Sequence, residues 1–179
     1  GGGDGAVHAM RPQTGGKVWS YVTAKRAVNT GVVVAGTSVI VSHGDENFDT
    51  SELGLIAAID GSQTGEIKTT RWARTGLQFG FSSPVLDGAR LYQIDNGSNL
   101  VAFDVEKGRE LWNQQLGTVQ KAPLVFGDGK LYVGTESGKF FILRPKADGV
   151  DVLSEVELPI SEDSVGGSQG TPEQVLSGA

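Results

Sequence analysis

One phrase of the sequence recurs with the same internal spacing. Residues 5–19 and residues 98–112 each contain an Ala, a Gly six positions after it and a Trp ten positions after it. With this Ala as the anchor, the phrase occurs four times in progressively weaker form, and consecutive anchors lie 49, 44 and 40 residues apart. The anchors are Ala9, Ala58, Ala102 and Ile142. A period of this length is typical of a chain built from repeated supersecondary units.

A second repeated phrase lies between the anchors and predicts a β-hairpin. It occupies residues 30–43, 82–95 and 121–136, where two short runs of β-branched or aromatic residues flank a small turn. Two of these turns contain an Asp-Gly pair, at Asp87-Gly88 and Asp128-Gly129, and this pair is the strongest short-range hairpin signal. With one strand on each side of the anchor's Gly, every unit contains four strands.

The phrases set the strand boundaries, and no segment shows a sustained helical period. The predicted strands are 32–34, 39–42, 55–60 and 67–72, then 84–86, 91–94, 100–104 and 110–113, then 123–126, 130–135, 139–143 and 150–156, and the chain begins with the last two strands of another unit. We therefore predict an all-β fold, a β-propeller of four-stranded antiparallel blades forming a partial ring of roughly three and a half blades. A β-sandwich with chance similarity between its units is the alternative.

The domain prediction places the partial propeller in residues 1–160. Residues 161–179 are polar and rich in Gly and Ser, so by themselves they predict a loose tail. This tail ends on the sequence TPEQVLSGA, where the first strand of a further blade is due. The sequence therefore predicts a fragment of a longer propeller, whose remaining blades are its first expected partners.

The repeated phrase predicts structural roles for its fixed residues. A large amphipathic side chain at one place on each outer strand can fill the gap between neighbouring blades. The Gly suits a turn with positive φ, and an Asp beside the turn can accept hydrogen bonds from its backbone amides. We assign these docking roles to Trp19, Trp72, Trp112, Gly15, Gly65, Gly108, Asp60 and Asp104.

The pattern Ala-x-Asp-x-x-Thr-Gly-x-x-x-Trp, preceded by an Asp-Gly hairpin, resembles the tryptophan-docking repeat of pyrroloquinoline quinone (PQQ)-binding-like β-propellers. The resemblance extends over roughly residues 1–157, and the third unit matches it at Ala102, Asp104, Gly108 and Trp112. Other units depart from it. The second has one extra residue before its Gly and three more before its Trp, and the fourth lacks the Trp.

The resemblance implies a fold more than an activity, because one fold hosts many functions. The family includes quinone-dependent alcohol and glucose dehydrogenases and a periplasmic lipoprotein that helps to assemble outer-membrane β-barrels. Its dehydrogenases hold PQQ and Ca²⁺ through a Glu/Asn/Asp set on the propeller axis, and no such set aligns with this sequence. We therefore expect a non-catalytic module without a cofactor that binds protein or acts as a scaffold, in the periplasm or outside the cell. The alternative is a fragment of a PQQ- and Ca²⁺-dependent dehydrogenase.

Composition excludes several classes of partner. The net charge of −6 argues against nucleic acid, because affinity for phosphates comes largely from Lys and Arg. The sequence has no apolar run of the roughly 18 to 20 residues that cross a bilayer. It also has no Cys, which excludes disulfides, thiolate metal sites and cysteine nucleophiles.

An interruption of the second unit, residues 43–54, is the best candidate for a binding loop. Asp45, Asn47 and Asp49 occupy alternating positions there, and oxygen ligands at such spacing can collect Ca²⁺. The stretch resembles the start of an EF-hand loop, but Thr50 replaces the Gly of the sixth position and Ile56 the Glu of the twelfth. The alternative is a solvated acidic loop without a metal.

Other candidates have a structural interpretation beside the functional one. His8 and His43 have no His or Cys neighbour in sequence, so we expect structural histidines rather than metal ligands. No G-x-S-x-G motif indicates a serine nucleophile. In residues 71–84, Trp72, Phe79 and Phe81 either pack between blades or form an exposed surface that favours a peptide or protein partner.

Overall fold

The structure is a computed structural model that describes residues 1–159, so the tail prediction for residues 161–179 lies outside the described residues. The described residues form fifteen β-strands and no helix. The strands are β1 (Ala6–Met10), β2 (Lys17–Val22), β3 (Val33–Ala35), β4 (Ser38–Glu46), β5 (Leu53–Asp60), β6 (Gly65–Glu66), β7 (Trp72–Thr75), β8 (Val85–Asp87), β9 (Arg90–Ile94), β10 (Asn99–Asp104), β11 (Glu110–Gln115), β12 (Val125–Gly127), β13 (Lys130–Gly134), β14 (Lys139–Pro145) and β15 (Val150–Glu157).

The strands form four separate sheets, which we number as blades in chain order. Blade one has the order β1-β2-β6, blade two β3-β4-β5-β7, blade three β8-β9-β10-β11 and blade four β12-β13-β14-β15. Blades two, three and four are entirely antiparallel. Their first strands contact one another, β3 with β8 and β8 with β12. The prediction of an all-β partial propeller of four-stranded blades is confirmed.

Three apolar clusters lie between the blades, because the middle strands of blades two and three bury both faces. Along β4, Val39 and Val41 pack with Trp19 against blade one, whereas Ile40 packs with Phe103 against blade three. The next cluster joins blades three and four in the same way. This double burial explains why the middle strands read as almost continuous apolar runs rather than as strict alternation.

The last strand of blade two differs from the prediction. We expected it at 67–72, but the structure places β7 at Trp72–Thr75. The extra residues before Trp72 first carry the chain to blade one, where β6 pairs in parallel with β2 and Ile67 N–H donates to the Ser20 carbonyl at 2.8 Å. The chain then returns, and β7 pairs with β5. The inserted residues therefore add a third strand to blade one.

One face of blade four is covered by no described residue. Val125, Tyr132 and Ile142 lie side by side across β12, β13 and β14, and Phe140 lies beside Val156 on β14 and β15. Val125 and Val156 are more than half exposed. The opposite face of the same blade is buried against blade three.

Candidate functional site

The three tryptophans each reach from one blade to the next, Trp19 from β2, Trp72 from β7 and Trp112 from β11. In each case the indole Nε1–H donates to a backbone carbonyl in the turn between the third and fourth strands of that neighbour. The bonds run from Trp19 to Gly61 at 3.0 Å, from Trp72 to Val105 at 2.9 Å and from Trp112 to Lys146 at 3.3 Å. All three side chains are more than nine-tenths buried. They lie inside the scaffold and not on a surface that a partner could reach.

Gly108 lies directly against one of these indoles. A Cβ atom at Gly108 would lie 2.3 Å from Cδ2 of Trp72, and the residue has a φ of +62°. Gly15 and Gly65 also have positive φ, of +67° and +81°, but a Cβ atom there would meet nothing within 4 Å. The three glycines therefore share a backbone conformation, and Gly108 alone of the three adds a close approach.

Asp60 and Asp104 lie at the start of equivalent turns and accept hydrogen bonds from turn amides. Asp104 accepts from Lys107 N–H at 2.8 Å, and Asp60 accepts from Ser62 N–H at 3.0 Å. Asp60 also lies 3.0 Å from the guanidinium of Arg71. The hydrogen bonds from Ser62, and then the charge and hydrogen bond of Arg71, lower the pKa of Asp60.

Both interruptions of the repeat in blade two lead to the same cavity. It has a volume of about 500 Å³. It lies where the tip of the β4–β5 hairpin, residues 47–50, meets the end of β2 and the segment 66–70, which begins in the added strand β6. Two insertions separated by more than ten residues thus enclose one space between blades one and two. We call it the interblade cavity.

Two buried polar side chains of the interblade cavity each carry an oxygen without a hydrogen-bond partner, although Asn47 Nδ2 donates to the Gly54 carbonyl at 3.4 Å. Thr23 and Asn47 are each 3% exposed, and neither Thr23 Oγ1 nor Asn47 Oδ1 has a partner among the described residues. The backbone holds them in place, because Phe48 N–H donates to the Thr23 carbonyl at 3.0 Å and Ala24 forms a bridge with Asn47. Such unsatisfied buried oxygens call for an explanation, since most buried polar groups are paired.

The structure divides the predicted Ca²⁺ ligands between two spaces. Asn47 and Asp49 line the interblade cavity. Asp45 lines a smaller hollow of about 280 Å³ and lies 3.9 Å from Arg26. Within residues 1–159 no group of three or more His, Cys, Asp or Glu side chains could hold a metal ion. The Ca²⁺ site stays a prediction.

The two histidines lie in different surroundings. His43 is 1% exposed, and its Nε2–H donates to the Thr23 carbonyl at 3.1 Å. This bond leaves Nδ1 as the unprotonated nitrogen, and burial lowers the pKa of His43. His8 lies nearer the surface, with Nε2 2.9 Å from the carboxylate of Asp4.

His43 predicts a loss of stability in mild acid. Its folded-state pKa lies below the ordinary value of about 6.5, so the unfolded chain takes up the proton first. The stabilisation is complete above pH 6.5 and is lost as the pH falls from there toward the folded-state pKa. Urea unfolding between pH 7.5 and pH 5.5 should show this decline, which should be smaller in His43→Gln. The His8→Gln control should retain it, and an unchanged slope in His43→Gln would contradict the assignment.

The aromatic stretch of residues 71–84 divides between core and surface. Trp72 and Phe79 are buried, and Phe79 contacts Phe103 edge to face with ring centroids 6.3 Å apart. Phe81 is 43% exposed and lines the smaller hollow together with Leu53. Phe48, at the mouth of the interblade cavity, is 60% exposed. The tip surface, as we call Phe48, Leu53 and Phe81, thus places apolar side chains on both sides of the hairpin.

Several residues of this region had no sequence signal of their own. Tyr21 lies near the end of an ordinary strand and Thr23 directly follows it. Glu66 and Lys68 lie in what we predicted to be a turn and a strand. The extra residues before Trp72 were the only hint. They mark an insertion, but they do not show that its chain crosses to blade one.

A family model described as the outer membrane protein assembly factor BamB matches residues 3–159. Among curated proteins, an uncharacterized protein of Rickettsia conorii is 30% identical over 83 residues, which are 44% of this chain and 20% of that protein. No helix in residues 1–159 is long and apolar enough to cross a membrane.

Solved structures show the same fold. BamB from Moraxella catarrhalis aligns with a TM-score of 0.63 at 15% identity, over 88% of this chain and 44% of that one. Quinohemoprotein alcohol dehydrogenase from Comamonas testosteroni aligns with a TM-score of 0.65 at 14% identity, over 96% of this chain and 35% of that one. The computationally designed protein Ika8 gives a TM-score of 0.71 at 14% identity, over 98% and 46%. The chain thus spans less than half the length of each of these proteins.

Proposed function

Because the chain belongs to the family of the outer membrane protein assembly factor BamB, we propose that it is a non-catalytic propeller module that binds another protein of the cell envelope. The observation that carries the proposal is the tip surface. Phe48, Leu53 and Phe81 are each at least two-fifths exposed around one hairpin, and apolar side chains gathered in this way are typical of protein-binding surfaces.

The aromatic residues fall into a buried group and an exposed group, and this separation supports the proposal. The tryptophans are buried between blades, so they hold the scaffold together. The exposed aromatic rings lie at or beside insertions of blade two, and surface insertions can vary without disturbing a rigid scaffold. A partner of the outer-membrane assembly machinery, in the periplasm, fits the family. A protein outside the cell is the second setting.

Further blades are also part of the proposal. The uncovered face of blade four, which includes Val125 and Val156, is apolar and exposed, and a propeller removes such faces by continuing its ring. We therefore expect this face to pack against another blade of a longer chain rather than to bind the partner of the tip surface.

Photo-crosslinking tests the protein-binding proposal. A benzophenone amino acid at position 48 or 81 should give a discrete cross-linked band with an envelope protein in cells that produce the protein. The control is position 10, where Met10 is 59% exposed at the end of β1 and away from the tip surface. Leu53→Asp should weaken the bands from both test positions. Equal cross-linking at all three positions, or none at 48 and 81, would overturn the proposal.

A PQQ- and Ca²⁺-dependent dehydrogenase is the alternative, and the tryptophans present offer the cofactor no stacking surface. The three tryptophans that could stack on a planar quinone all lie between blades, and the similarity to the Comamonas enzyme, at 14% identity, concerns the fold alone. Calorimetric titration of PQQ with and without Ca²⁺ should give no saturable binding. Micromolar binding that requires Ca²⁺ would favour the dehydrogenase.

A further inference from the structure

From the interblade cavity we infer that this protein holds a cationic side chain, Arg or Lys, of its protein partner between blades one and two. The inference rests on the proposed function, since it names the chemistry of the segment that the module binds. It concerns a different contact from the apolar one at the tip surface, although Phe48 belongs to both places. Four observations carry it: the unpartnered oxygens, the local charge, the shape of the cavity and its origin in two insertions.

The polar groups of the cavity lack a donor. Asn47 Oδ1 can only accept a hydrogen bond and has no donor among the described residues, and Thr23 Oγ1 is unpaired as well. The carboxylate of Asp49 forms no hydrogen bond or ion pair within residues 1–159. An arginine guanidinium brings five N–H donors and a lysine ammonium three, and neither brings an acceptor. Such a group complements this set, whereas a ligand that offers mainly acceptors does not.

The charge of the cavity favours a cation. Its charged side chains are Asp49, Glu66 and Lys68, and Lys68 lies 3.5 Å from Glu66, which leaves one uncompensated negative charge. The same charge reaches Tyr21, where burial and, to a smaller extent, the Asp49 carboxylate raise the pKa of the phenol. Phosphates and other anions are therefore disfavoured, and a cation is attracted.

The shape of the cavity fits a side chain with an apolar stem. A volume of about 500 Å³ lies within the usual range of small-ligand sites. Leu55, Ile67 and Ala73 form an apolar wall, and Phe48, which is 60% exposed, lies at the mouth. An Arg or Lys stem can lie along such a wall, and a cation above an aromatic face gains a further attraction.

The regular repeat does not account for the interblade cavity. Blade three, which keeps the regular spacing from Ala102 to Trp112, has neither the long hairpin nor the added strand. The cavity exists because the 43–54 interruption lengthens a hairpin of blade two, the residues around β6 add a strand to blade one, and both line one space. A ring of regular blades forms without either insertion, so the insertions call for another role.

Saturation-transfer NMR with three capped tripeptides tests the inference. The probes are acetyl-Gly-Arg-Gly-amide, the same peptide with citrulline, which keeps the shape of arginine without its charge, and the same peptide with glutamate. The arginine peptide should bind at least about tenfold more tightly than the citrulline peptide, and the glutamate peptide should not bind. Asp49→Asn should weaken binding of the arginine peptide about five- to tenfold. Asp87→Asn, an exposed turn residue of blade three, should leave it unchanged.

Two outcomes overturn the inference. One is equal binding of the arginine and citrulline peptides or no binding of either, and the other is an arginine affinity that Asp49→Asn does not change. Because Asp49 lies in an exposed loop, its substitution should not affect folding. A successful cross-link at position 81 combined with failure of the peptides would reject this inference while leaving the proposed function intact. Binding of the arginine peptide without any cross-link at position 81 would reject only the protein-binding role of the tip surface.

Discussion

Gly108→Ala should lower the free energy of unfolding by about 3 to 4 kcal/mol, whereas Gly15→Ala should lower it by about 1 to 2 kcal/mol. Both glycines have nearly the same φ, +62° and +67°, so both substitutions carry the strain of a left-handed backbone. Only Gly108 adds a clash, because its new Cβ atom would lie 2.3 Å from Cδ2 of Trp72. The indole would have to leave its position between blades two and three.

Urea unfolding of the two variants and of the parent protein measures the two losses in free energy of unfolding. Gly65→Ala is a second control, since its φ is +81° and a Cβ atom there meets nothing within 4 Å. Fluorescence should separate the variants as well, because displacement of Trp72 exposes its indole to water. Equal losses at Gly108 and Gly15 would show that the contact with Trp72 contributes nothing to stability.

Trp72→Ala should lower the free energy of unfolding by about 3 to 5 kcal/mol, which is the range for removing a large buried aromatic side chain. The indole fills a cluster with Ile40, Leu91 and Phe103 from blades two and three, and its loss leaves a cavity between the blades. It also removes the donor that binds the Val105 carbonyl at 2.9 Å. Trp72→Phe keeps most of the ring and loses the donor, so it should cost about 1 to 3 kcal/mol.

Phe81→Ala is the matched control for Trp72→Ala. Phe81 is also aromatic and lies on the same stretch of chain, but it is 43% exposed, so its loss should change stability by less than about 1 kcal/mol. Phe81→Ala should instead weaken binding of the protein partner to the tip surface. A large loss of stability at Phe81 together with a small one at Trp72 would reverse our assignment of scaffold and surface.

The sequence predicted the blades well where the repeat is regular. In blade three the observed strands agree with the predicted ones to within two residues, and the predicted Asp-Gly hairpin pairs Asp87 with Arg90. Short-range signals suffice there, because turn residues and alternating runs determine a hairpin locally. The same signals gave the correct fold class from about four imperfect copies of one unit.

The candidate site was only partly predictable. The interruption at 43–54 could be recognised as an insertion, and Phe81 as one of three aromatic residues for either core or surface. The interblade cavity could not, since it depends on the parallel pairing of β6 with β2, between Trp19 and Gly65. That contact joins residues far apart in sequence, and a two-residue strand is too short to have a periodic pattern that predicts it.

A double-mutant cycle between Trp72 and Gly108 tests most directly whether the repeated phrase holds neighbouring blades together. We predict that Gly108→Ala costs about 3 to 4 kcal/mol in the parent protein and only about 1 to 2 kcal/mol when Trp72 is already Ala, because the clash then has no partner and the backbone strain alone remains. The coupling energy should therefore be about 2 kcal/mol. Strictly additive losses would contradict the account, since they would mean that the two residues do not interact across the blades.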